Sequence, residues 1–136
     1  MEDNGAISAI AEITALVTSY AEGFAGDPSA TARFYALPMI FVGPDGVRVI
    51  ASWNEAVAFV EGILERLRPI GFSRTTVERC FARRLKPSIA LCSIDGTRRC
   101  ADGSPIERIG ATYVLTAHPD WRIRELIATD PENVAP

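Results

Sequence analysis

The chain has 136 residues, 48% of them hydrophobic and 23% charged, and a formal net charge of -3. That length suits one hydrophobic core, so a single domain over 1–136 is expected, with 131–136 as a loose tail. The mildly acidic balance argues against nucleic-acid binding, which needs clustered Lys and Arg; Arg83, Arg84, Arg98 and Arg99 recur, but among acids.

No apolar run reaches membrane length, and the opening MEDNGAIS carries acid where a signal peptide needs base. Neither a nucleic acid nor a membrane is expected as partner, and the expected location is cytoplasmic. The three cysteines, Cys80, Cys92 and Cys100, are odd in number and lack metal-ligand spacing. They read as free thiols, with no metal and no cofactor implied.

In chain order, Ala6 to Ala25 predicts a first helix, with Ile7, Ile10, Ala11, Ile13, Leu16, Val17, Tyr20 and Phe24 as its apolar stripe. Gly26 ends it. Asp27-Pro28 then opens a short second helix as N-cap and first helical residue. That helix is expected to carry Ala32, Phe34, Tyr35 and Leu37 inward until Pro38 stops it. Met39–Val42 and Val47–Ile50 flank Gly-Pro-Asp-Gly and predict a hairpin.

Ser52-Trp53-Asn54-Glu55 is a capping box opening a third helix to about Arg68. Its expected buried side is Trp53, Val57, Val60, Ile63, Leu64 and Leu67. Four strands follow, Phe72–Leu85, Ser88–Arg99, Ile106–Ala117 and Trp121–Thr129, with turns at Lys86-Pro87, Asp102-Gly103 and Pro119-Asp120. The central stretch is Ser104 to Asp130, two long strands forming the hairpin that a helix must cover.

Simple alternation along these strands gathers Cys80, Ala82, Cys92, Ile94, Ile109, Ala111, Tyr113, Leu115, Trp121, Ile123 and Ile127 on one face. This more apolar set is expected beneath the helices. The other face holds Val77, Arg79, Phe81, Ser93, Asp95, Thr97, Arg108, Thr112 and Val114, and Arg79 and Asp95 are placed to pair across strands. That mixture suits a partner subunit laid sheet to sheet. Glu125 falls on the apolar face beside Tyr113, where a carboxylate must be paired, hydrogen-bonded or neutralised. It is the first candidate for a polar group in a pocket.

This order of elements resembles the nuclear transport factor 2-like superfamily, and more closely its SnoaL-like branch of small bacterial proteins. The resemblance is carried by VTSYAEGFAGDPSATARFYA, the hairpin FVGPDGVRVI, the capped helix from Ser52, and HPDWRIRELIATD. It implies an α+β cone-shaped barrel: three N-terminal helices packed on a curved, mainly antiparallel sheet, a pocket between them, and commonly a homodimer. The superfamily spans isomerases, cyclases, dehydratases, epoxide hydrolases and non-enzymes, so the fold leaves activity open. Tyr20 matches the oxyanion-stabilising tyrosine of the ketosteroid isomerases. Their general base falls at Gly43-Pro44 here and their second acid near Ala111, so two of three catalytic groups are missing. This argues against a ketosteroid isomerase.

Tyr20 and Glu125 are therefore the candidate catalytic pair, Tyr20 as donor to a ligand oxygen and Glu125 as the group that moves a proton. Phe24, Tyr35, Phe41, Trp53 and Tyr113 are the candidate ligand-binding residues, against packing as the commoner fate of core aromatics. His118, the only histidine, reads as a turn residue. Three readings follow. The first is a SnoaL-like protein of unassigned activity binding a small hydrophobic ligand. The second is a lyase, isomerase or cyclase acting on an apolar carbonyl compound. The third is a non-catalytic module that dimerises through the outer sheet face.

Overall fold

The computed structural model describes residues 4–134, with side chains from Ser8 onward. The elements are α1 (Asn4–Glu22), α2 (Pro28–Ala32), β1 (Tyr35–Gly43), β2 (Gly46–Ile50), α3 (Trp53–Leu67), β3 (Phe72–Lys86), β4 (Ile89–Cys100), β5 (Pro105–Ala117) and β6 (Trp121–Thr129). The expected α+β architecture holds. Three helices pack on a six-stranded sheet of order β2-β1-β6-β5-β4-β3, mainly antiparallel and not closed. The exception is the parallel pair β1–β6. Among the described residues, no helix is long and apolar enough to cross a membrane.

α1 buries Ile13, Val17, Tyr20 and Ala21 on the sheet, with Leu16 and Phe24 packed at the margin of the core. It ends at Glu22, three residues before the expected Ala25. Ile10 and Ala11 face outward, a correction to the expected stripe. The side chain of Ile7 lies outside the described residues, as does the opening Met1–Asp3.

α2 is capped as expected, the Asp27 carboxylate accepting from the Ser29 N–H at 3.1 Å. It stops at Ala32, not at Pro38. The backbone at Phe34 and Tyr35 is already committed to the sheet: the Phe34 carbonyl accepts from Ile123 N–H at 2.8 Å, and Tyr35 pairs with Ile123. Pro38 lies in the irregular interval between Tyr35 and Ile40, where its missing N–H takes no bond from the ladder.

At α3, the Ser52 hydroxyl accepts from Glu55 N–H at 3.2 Å, and the Glu55 carboxylate accepts from Ala51 N–H at 2.7 Å. The reciprocal bond thus closes one residue upstream of the cap. The helix buries Ala56, Phe59, Val60, Leu64 and Leu67. Trp53 is 43% exposed at the first turn, so the buried stripe starts at Ala56.

Among the register shifts of the sheet, one in β6 and one in β3 decide the faces of Glu125 and Val77. In β6, Leu115 of β5 pairs with Ile123 and Val114 pairs with Glu125, leaving Arg124 without an opposite residue. One extra residue reverses the alternation. Trp121 and Ile123 point into the core, whereas beyond the bulge Leu126, opposite Tyr113, points inward and Glu125 and Ile127 point out. In β3, Glu78 is the extra residue between the pairs Val77–Gly96 and Arg79–Asp95, so Val77 packs against the core and not on the outer face.

The outer face is partly covered by the chain itself. Beyond β6 the backbone passes over Gly110, where a Cβ would stand 2.7 Å from the Asp130 carbonyl carbon and the Thr129 carbonyl oxygen. Pro131–Asn133 form a 3-10 turn, and Val134 is buried. Within the expected loose tail the described backbone thus packs back as far as Val134; Ala135 and Pro136 lie outside the described residues. Near this crossing Asp95 is only 5% exposed, its Oδ2 accepting from Arg79 at 3.1 Å and Arg108 at 3.0 Å. Burial alone would raise its carboxyl, but the hydrogen bonds from Arg108 and Arg79 outweigh it and hold the group below the usual carboxylate range.

Candidate functional site

Between the helices and the concave side of the sheet is a cavity of about 350 Å³. That is within the range of small-molecule sites, at its lower end. Its walls come from three directions. The end of α1 supplies Tyr20 and Phe24, the inner face of α3 supplies Phe59 and Ile63, and the strands supply Phe41, Ile94, Ala111, Tyr113 and Leu126. Each strand contributor is placed by register, Leu126 lying between its neighbours Tyr113 and Phe41.

Of the expected ligand-binding residues, Phe24, Phe41 and Tyr113 line the cavity, as does Tyr20. Tyr35 is buried behind Tyr20 and touches it through both ring and hydroxyl. Trp53 is on the surface, and its expected place is taken by Phe59, whose ring lies 5.1 Å from that of Phe41 and 6.2 Å from that of Tyr35. Glu125 does not line the cavity, because the bulge at Arg124 turns it to the opposite face. Tyr20 and Glu125 are thus not brought together. His118 is exposed in its turn.

Sequence reasoning missed Phe59, Leu126 and Arg66. Phe59 had a signal: Ala56, Phe59, Val60, Ile63, Leu64 and Leu67 repeat at helical spacing once Trp53 is set aside. Leu126 had none, since its direction depends on a bulge.

Tyr20 is the centre of the arrangement. Its ring makes edge contacts with Phe24, Phe34, Tyr35 and Tyr113 at centroid separations of 5.6–5.8 Å. Its hydroxyl is 2.5 Å from that of Tyr35, and the two residues are 3% and 2% exposed. Two hydroxyls joined by one bond leave one hydrogen unspent, and no acceptor for it occurs among the described residues. Burial pushes the hydroxyls of Tyr20, Tyr35 and Tyr113 well above the usual phenol range. All three keep their protons at neutral pH and cannot serve as bases; Tyr20 and Tyr113, which line the cavity, can donate to a ligand.

Beside Tyr113, Cys80 and Cys92 bring their sulfurs to 3.3 Å. The hydrogen bond between them lowers the Cys80 pKa and pushes that of Cys92 up. The charged groups are confined to the rim. Arg98 pairs with Glu107, Arg108 pairs with Asp95, and Arg66 projects from the last turn of α3. Among the described residues, no group of three or more His, Cys, Asp or Glu side chains is arranged to hold a metal ion.

Comparison with solved structures finds the same fold at low identity. An NTF2-like protein with a cystatin-like fold from Novosphingobium aromaticivorans is 16% identical, with 99% of this chain and 94% of that one covered at a TM-score of 0.70. Aln2 from a Streptomyces species is 14% identical, with 92% of each chain covered and a TM-score of 0.70. The yeast UBP3-associated protein BRE5 is 16% identical, with 90% of this chain and 95% of that one covered at 0.67. Identities this low speak to fold alone. No curated protein matches the chain. The family model described as NTF2-like protein (DUF6841) matches residues 11–131, and the chain belongs to this NTF2-like family.

Proposed function

We propose that this protein binds a small, largely apolar molecule that carries a hydrogen-bond acceptor such as a carbonyl oxygen. One observation carries the reading: an apolar cavity of about 350 Å³ is lined by Tyr20, whose hydroxyl pair with Tyr35 has a hydrogen to spare. An unspent donor among apolar walls is costly, and a ligand oxygen is the partner that relieves it. The aromatic walls supply the remaining affinity through area removed from water. The alternative in which Glu125 moves a proton against Tyr20 loses its base, since that carboxylate is on the other side of the sheet.

The test uses prodan, a neutral naphthalene ketone whose emission reports both polarity and hydrogen bonding at its carbonyl. Saturable binding with blue-shifted emission is expected. Ala111→Phe, which places a ring in the cavity, should abolish it while the circular dichroism spectrum stays that of the wild type. No saturable binding, or binding that survives in a folded Ala111→Phe variant, overturns the proposal.

A further inference from the structure

We propose that the natural occupant of this cavity is an apolar acid, its hydrocarbon body inside and its single carboxylate held at the rim by Arg66 with Arg48 beside it. This rests on the ligand-binding reading above and adds the charge of the ligand and the residue that selects it.

The rim cations are not equivalent. Arg98 pairs with Glu107, and Arg108 shares the Asp95 carboxylate with Arg79, whereas Arg66 has no carboxylate partner among the described residues. The sequence explains why. Helical neighbours three and four residues before Arg66 are Ile63 and Gly62, and those after it are Pro69 and Ile70, so no acid is within reach along α3.

Arg48 is in the same position on the hairpin. Its cross-strand partner is Phe41, a cavity residue, and its guanidinium carbon is 5.6 Å from the centroid of the Phe59 ring. A cleft between the β1–β2 turn and α3 joins the cavity, the two sharing Phe41, Phe59, Ile63 and Arg66. Asp45 is the only acid lining that cleft among the described residues, against Arg48 and Arg66. Two guanidinium groups thus border the apolar space, and of the acids lining the cavity itself Glu107 is taken by Arg98, leaving Asp130.

The physics then selects the ligand. A neutral occupant covering this rim would withdraw Arg66 from water and give nothing back. A carboxylate compensates it with charge-assisted, bidentate geometry. The same carboxylate is excluded from the interior, where every polar side chain is a neutral hydroxyl and burial opposes charge. One end of the ligand is therefore apolar and the other anionic, in that orientation.

The experiment is displacement of bound prodan by naphthalene-2-acetic acid and by its methyl ester, which share the apolar body and differ in charge and by one methyl group. The acid is expected to compete about five- to tenfold better at low salt, and the ratio should shrink as ionic strength rises. In Arg66→Met the acid-to-ester ratio should fall to about one, and Arg66→Lys should restore part of it. If prodan binds and the two competitors are equal, this inference is overturned while the binding reading stands. An acid preference that persists in Arg66→Met overturns the assignment to Arg66. If calorimetry shows that neither prodan nor either competitor binds, both proposals fall together.

Discussion

The hydroxyl pair of Tyr20 and Tyr35 makes a prediction that separates packing from hydrogen bonding. Replacing Tyr20 by Phe keeps the ring and its edge contacts at 5.6–5.8 Å, but strips the Tyr35 hydroxyl of its partner at 2.5 Å. Tyr35 is 2% exposed and does not line the cavity, so its stranded hydroxyl has no route to bulk water. A buried polar group left unsatisfied costs about 1–3 kcal/mol. In a chain of this length each kcal/mol lowers Tm by roughly 4 °C. Tyr20→Phe and Tyr35→Phe are each expected to destabilise by about 1–2 kcal/mol in urea unfolding. Removing both hydroxyls leaves no orphan, so the double variant should cost less than the sum, with a coupling of about 1 kcal/mol. Tyr20→Phe should also weaken prodan by roughly three- to tenfold, the worth of one hydrogen bond. Single variants whose costs add to that of the double refute the pairing, and prodan affinity unchanged in Tyr20→Phe refutes its role as ligand donor.

Two further predictions concern pH. Asp95 has a folded-state carboxyl below its ordinary value, so its stabilisation is complete above the unfolded pKa of about 3.9 and is lost as pH falls through the folded value. Asp95→Asn should therefore be less stable than wild type near pH 7, the gap closing below about pH 4; a gap independent of pH in urea unfolding excludes this ion pair as its source. All three tyrosines of the chain are buried with raised hydroxyl pKa values. Stability from them is complete below the ordinary value of about 10 and declines as pH climbs beyond it, because only the unfolded state ionises there. Tyrosinate absorbance at about 295 nm should then rise with unfolding, not before it, and gradual ionisation in a protein still folded by circular dichroism would contradict the buried placement.

Much of the fold was legible because it is written in short-range chemistry. Asp27 and Ser52 announce helix starts through side-chain acceptors close to the N–H groups they cap. Gly46 and Gly103 mark turns where the backbone has positive φ. The helical period of Ile13, Val17 and Tyr20, and the alternation through Cys92, Ile94, Ala111 and Tyr113, brought most of the inner wall to the correct side. Tyr20, Phe24, Phe41 and Tyr113 could be named as cavity residues on that ground alone.

What local pattern could not determine is anything that depends on a second chain segment choosing the register. Tyr35 continues a helical pattern in sequence but becomes a strand because β6 offers Ile123 as its partner. Glu125 alternates inward in sequence but turns outward because β5 pairs around Arg124. Likewise the pairing of Arg98 and Arg108, and the isolation of Arg66, are properties of neighbours brought from other elements. The sequence by itself therefore determined which elements form and where they begin. Only the tertiary structure decided which face a side chain takes beyond a bulge, and with it which groups meet in the cavity. The physical reason is that a period-2 strand carries no mark of an inserted residue until its hydrogen bonds are made to another strand.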